Sequence, residues 1–72
     1  MMLLNKLKGL MREHGHTQKY IANCLGLSEY GFNKKLNGKS EFKANELLEL
    51  SKLYNVSVDY FFTDDVSKQQ QK

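Results

Sequence analysis

The stretch Thr17 to Gly38, TQKYIANCLGLSEYGFNKKLNG, constrains this chain more than any other feature. Its pattern is two short helices with almost nothing between them. Thr17 is a good N-cap, because its hydroxyl can accept from the free amides of a first helical turn. Ile21, Ala22 and Leu25 then recur at helical spacing and give the first helix one apolar side. Gly26 stands where that helix must stop, since glycine enters the left-handed region without a Cβ clash. Leu27 is placed to fill the corner and Ser28 to cap a second helix. In that helix Phe32 and Leu36, at i and i+4, face inward, while Glu29, Tyr30, Asn33 and Lys34 share the opposite face. Asn37 and Gly38 close it.

The elements on either side extend the same all-helical pattern. Leu3, Leu4, Leu7, Leu10 and Met11 form one apolar stripe on a helix running to about His14, with Gly15 as its C-cap. Lys6, Lys8 and Arg12 lie off that stripe. After the motif, Lys39 to Lys43 reads as a loop anchored by Phe42. A fourth helix is expected from about Ala44 to Tyr54, with Leu47, Leu50 and Tyr54 on one face and Leu48 beside it. Asn55 ends it, Val56 turns the chain back inward, and Ser57 can cap a last short helix from Val58 to about Phe62. Tyr60, Phe61 and Phe62 exceed what one face of so short a helix can bury. Core packing and a partner surface both account for them. The expected domain is residues 1–62, followed by a polar stretch, 63–72, too poor in apolar residues to order itself.

Seventy-two residues give a single small domain, which buries only roughly 60% of its unfolded surface. The net charge of +3 says little until it is divided. Residues 1–39 carry seven basic and two acidic side chains, whereas residues 40–72 carry four and six. The basic half therefore contains the two-helix stretch, as a surface for phosphates requires. Cys24 is the one cysteine, so no internal disulfide forms, and a reducing cytoplasm is the expected setting. Lys6 and Lys8 interrupt the opening MMLL too early for a signal peptide or membrane span. His14, His16 and Cys24 lack the ligand number and spacing of a zinc site, and nothing marks a base that would activate Cys24. Neither a metal or other cofactor, nor a small-molecule substrate, nor an enzymatic activity is expected.

With Gln18, Ala22, Gly26 and Phe32 in their places, the stretch resembles the helix-turn-helix of the Cro/repressor family of phage and bacterial regulators. The closing LNGKSEF, Leu36 to Phe42, is similar to small Cro-like proteins from temperate phages of Gram-positive bacteria, including the modulator-of-repression type. The resemblance implies a compact five-helix, lambda-repressor-like DNA-binding domain over about residues 3–62, with helices 2 and 3 as the motif.

Gln18 and Lys19 open the first motif helix, where free amides and the helix dipole favour a phosphate, and Ser28 does the same for the second. By the resemblance, Glu29, Tyr30 and Lys34 occupy the base-reading places with Asn33 close by, and Lys39 and Ser40 lie where the family touches the DNA backbone. Asn37 completes this candidate set. Lys34 can donate to guanine and Asn33 to adenine, and Tyr30 offers its ring to a thymine methyl. Three residues of the motif depart from the pattern, and a fourth departs beyond it. Glu29 places a carboxylate at the leading contact position. Gly31 costs roughly 1 kcal/mol against alanine within a helix and is expected to allow close packing on the first motif helix. Lys35 stands where the family usually has an apolar residue, so Leu36 is expected to take over that core duty. Lys43 replaces the threonine of a capping box, which weakens the start of the fourth helix.

Two functions of different class follow. One is a transcription regulator of a phage lysis–lysogeny switch, bound as a pair to operator DNA. The other is an anti-repressor whose motif surface meets the cognate phage repressor, with Glu29 mimicking a phosphate and Tyr30 as the anchor.

Overall fold

One fully buried apolar side chain from each of five elements builds the core: Leu7, Ile21, Phe32, Leu50 and Phe61. The computed structural model describes residues 2–63. Within them the elements are α1 (Leu4–His14), α2 (Gln18–Leu25), α3 (Glu29–Leu36), α4 (Ala44–Tyr54) and a closing 3-10 turn, Val58–Phe61. Leu10, Met11, Ala22, Leu36 and Tyr54 complete the buried cluster, with Leu25, Leu27, Phe42, Val56 and Tyr60 packed against its edge. Each fully buried Leu, Ile or Phe removes enough apolar surface from water to contribute about 1.5–3 kcal/mol.

The helix ends follow from local chemistry. Thr17 Oγ1 accepts from the Tyr20 amide at 3.1 Å, and Ser28 Oγ accepts from the Gly31 amide at 3.0 Å. Gly26 ends α2 at φ 73°, so the Leu27 amide reaches the Ala22 carbonyl at 2.9 Å and the chain turns within three residues. α4 ends on Asn55 at φ 55°, a left-handed position that asparagine tolerates better than most residues. Leu3 lies just outside α1, where its amide donates to the Phe61 carbonyl at 2.7 Å and joins the two ends of the described chain.

The last element differs from expectation. It is a 3-10 turn ending at Phe61, and no side-chain bond from Ser57 caps it. The fold is therefore four α-helices and one 3-10 turn among the described residues, rather than five helices. The tighter winding aims Phe61 fully into the core, leaves Tyr60 half-buried and turns Phe62 out, 43% exposed. Core packing thus claims Phe61 fully and Tyr60 in part, and leaves Phe62 outside. The polar stretch, apart from Thr63, lies outside the described residues. No helix among the described residues is long and apolar enough to cross a membrane.

α2 and α3 make the closest helix pair, α4 packs on α2 and on the closing turn, and α1 rests on that turn. The outer side of α3 is left facing solvent.

Candidate nucleic-acid interface

The candidate site is built on the first turn of α2 and the outer face of α3. Gln18 and Lys19 begin α2, and their amides precede that of Ile21, the first to donate within the helix (to the Thr17 carbonyl at 3.2 Å), so they have no intrahelical acceptor and point out of the helix end. Lys19 is exposed, whereas Gln18 is half-buried. The reason is a cross-link: Asn33 Nδ2 donates to Gln18 Oε1 at 2.9 Å. Asn33 is thus committed to α2, and its side chain aligns the two helices as well as facing outward.

On α3, Glu29, Tyr30 and Lys34 are exposed, Tyr30 by 74%. Lys34 Nζ stands 5.5 Å from the centroid of the Tyr30 ring, one turn away, so the ammonium and the ring form a joint surface. Asn37 Nδ2 donates back to the Asn33 carbonyl at 2.9 Å and helps close the helix. The Lys39 amide reaches the Lys34 carbonyl at 2.9 Å, which turns Lys39 and Ser40 into the exposed loop beyond. Gln18 and Asn33 are in direct contact, and so are Tyr30 and Lys34. Lys39 and Ser40 join the group only through the end of α3.

Two departures from the motif pattern acquire physical reasons. A Cβ on Gly31 would stand 3.1 Å from Ser28 Oγ, so this glycine gives room to the cap of its own helix rather than to packing against α2. Leu36 does take the core position, 4% exposed. Lys35 is buried beside it, and its Nζ donates to Glu46 Oε1 at 2.6 Å. The same carboxylate accepts from the Lys43 amide at 2.9 Å. Glu46 therefore supplies the acidic half of a capping box, although Lys43 has no acceptor to offer in return. Burial pushes the Glu46 carboxyl up, but the Lys35 bond, the Lys43 amide and the two ammonium charges together hold it below its ordinary value.

Sequence reasoning missed this pair, and the signal was present. Phe32, Lys35 and Leu36 fall on one stripe of α3, and Glu46 and Leu50 on one stripe of α4. Opposite charges on two buried stripes call for each other. It also missed a ring cluster behind the start of α2. His16 Nδ1 and the Tyr54 hydroxyl are 2.8 Å apart, His14 stacks on His16 at 5.6 Å, and Tyr20 lies against His16 at 4.7 Å. Burial, with Cys24 and Tyr20 nearby, pushes the Tyr54 hydroxyl up to about 12, so it stays protonated.

Residues 3–64 match a family described as "Protein of unknown function (DUF739)", and the chain belongs to that family. It is also similar to the HTH-type transcriptional regulator ImmR of Bacillus subtilis (strain 168), 37% identical over 75 residues. That alignment covers 99% of this chain and 57% of the relative, so the chain spans little more than half the length of the protein it matches. No solved structure matches the chain.

Proposed function

We propose that this member of the DUF739 family is a helix-turn-helix transcription regulator that binds operator DNA with α3 in the major groove. The observation that carries the reading is the exposed Tyr30–Lys34 surface of α3, held to the first turn of α2 by the Asn33–Gln18 bond. In a helix-turn-helix the second helix enters the groove while the first crosses the backbone. The α2 amides and Lys19, with Lys39 and Ser40 at the far end of α3, then meet phosphates and fix register. Lys34 donates to a guanine edge, Tyr30 lies against a thymine methyl, and Glu29 accepts from a cytosine amino group. Gln18 supports Asn33 at the junction. Two copies on paired half-sites would give the affinity that one small surface lacks. The similarity to a protein named as an HTH-type transcriptional regulator supports the class. The resemblance to small Cro-like proteins supports a role in a phage lysis–lysogeny switch.

A second reading is favoured by one observation. Tyr30, 74% exposed and next to a carboxylate, suits a protein partner better than it suits phosphate. In that reading the same face docks on the cognate phage repressor and prevents or remodels its binding to DNA.

One titration separates the two. The protein is added to its own promoter region at two salt concentrations, with a parallel series containing the cognate repressor. Binding alone, weakening steeply with salt as counterions are released, supports the DNA reading. Weak binding alone, with loss of the repressor–DNA complex on addition, would overturn it in favour of the partner reading.

A further inference from the structure

α3 is only eight residues long, and among the helices it packs closely on α2 alone. A two-turn helix does not hold itself in place, so its roll about its own axis depends on what grips its inner stripe. Phe32 and Leu36 grip by apolar contact, which is non-directional and tolerates sliding. Lys35 grips differently. Its Nζ reaches Glu46 at the start of α4 through one short, charge-assisted bond of 2.6 Å. Glu46 is itself fixed, because it accepts from the Lys43 amide at 2.9 Å, and the Phe42 ring lies 5.9 Å from the same ammonium.

We propose that the Lys35–Glu46 pair is a positioning device that sets the roll of α3 and thereby decides which side chains α3 presents outward. The proposal rests on the reading of α3 as the recognition surface. Lys34 precedes Lys35 by one residue, so any rotation of the helix that moves Lys35 swings Lys34 and Tyr30 through the same angle. Stability alone does not require the pair. An apolar residue at position 35 facing an uncharged one at 46 would serve as well or better, because a buried ion pair returns little beyond its own desolvation. What the pair supplies, and apolar contact does not, is direction. Glu46 acts through Lys35 and touches no target itself.

The test uses the double variant Lys35→Met/Glu46→Gln, in which the glutamine still accepts from the Lys43 amide, and Lys35→Arg, which keeps the charge and the bridge. Residual dipolar couplings of the backbone amides report the orientation of α3 against α4 with no DNA present. The double variant is expected to fold, with α3 reoriented on α4 while α1 and α2 keep their mutual orientation. Lys35→Arg is expected to match the wild type. In DNA titrations, the ratio of operator to random-sequence affinity is expected to fall about tenfold in the double variant, with the salt slope unchanged. An unmoved α3 in the folded double variant would overturn the proposal. So would its unfolding at room temperature, which would assign the pair to stability. A wild-type protein that prefers no DNA sequence would overturn the function proposed above and leave the orientation measurement to decide this one.

Discussion

Asn33 Nδ2 donates to Gln18 Oε1 at 2.9 Å, and this side-chain bond joins the outer face of α3 to the first turn of α2. It is half-buried, so water competes for it only in part. Net hydrogen bonds of this kind contribute about 1 kcal/mol. In a double-mutant cycle of Gln18→Ala and Asn33→Ala, read by urea unfolding, the coupling should fall at about 0.5–1.5 kcal/mol. Additive single effects would show that the bond does not hold the two helices together.

Lys34 and Lys39 are both exposed lysines in different settings: one beside the Tyr30 ring, the other in the loop after α3. If Lys34 reads a base, Lys34→Ala should reduce discrimination between operator and mutated sites by about 1–3 kcal/mol. Lys39→Ala should weaken binding to all sequences alike and lower the salt slope by about 1. Titrations against operator, mutated operator and random DNA at several salt concentrations check both. Equal losses on every sequence for the two variants would remove Lys34 from base reading.

Gly31→Ala sets helix propensity against a cap. Alanine gains about 1 kcal/mol in a helix interior. Its Cβ, however, would stand 3.1 Å from Ser28 Oγ, the atom that accepts from the residue's own amide at 3.0 Å. The two effects oppose each other, and the net change is expected to stay below about 0.5 kcal/mol. In a Ser28→Gly background the crowding atom is gone and the full gain should appear. Thermal unfolding of the four proteins decides it, and an undiminished gain in the Ser28 background would show that the cap simply moves aside.

Most of the fold is legible in the sequence because caps and apolar spacing act locally. Thr17, Gly26 and Ser28 mark the α2–α3 turn by their own hydrogen bonds and backbone angles, and Phe32 and Leu36 show its inner side by spacing. The last element is less legible, since α-helix and 3-10 turn differ by one residue in hydrogen-bond reach and tertiary packing of Phe61 makes the choice. The candidate site divides the same way. Exposure of Glu29, Tyr30 and Lys34 follows from the helical period. The contacts Asn33–Gln18, Lys35–Glu46 and His16–Tyr54 span 15, 11 and 38 residues; the charged positions on the buried stripes of α3 and α4 point to the second, and no local pattern states the other two.

Glu46 ties stability to acid. Its carboxyl is held below its ordinary 4.5 in the folded protein: burial opposes this, while Lys35 and the Lys43 amide outweigh it. A depressed folded value means that the contribution is fully present above 4.5 and is lost as pH falls through the folded value. Protonation also leaves the Lys35 ammonium buried without its partner, which is the costly way to break such a pair. Glu46→Gln should therefore be less stable than wild type at neutral pH, and the difference should shrink on acidification. Urea unfolding across this range checks it, and a constant difference would show that Glu46 does not titrate with folding.

Tyr54 makes the corresponding prediction at the alkaline end. Burial, with Cys24 and Tyr20 beside it, pushes its hydroxyl from 10.0 up to about 12. The folded state thus keeps a proton that the unfolded state releases, and stability falls with rising pH wherever the folded state binds more protons. The contribution is complete below pH 10 and is lost between there and about 12. The same hydroxyl is bonded to His16 Nδ1 at 2.8 Å, immediately before the cap of α2. Tyr54→Phe should cost about 1 kcal/mol at neutral pH for the lost bond. It should also flatten the alkaline fall relative to wild type, so the two curves converge as pH rises. Parallel curves through this range would mean that Tyr54 ionises as easily folded as unfolded, and would separate the His16 bond from the burial that accompanies it.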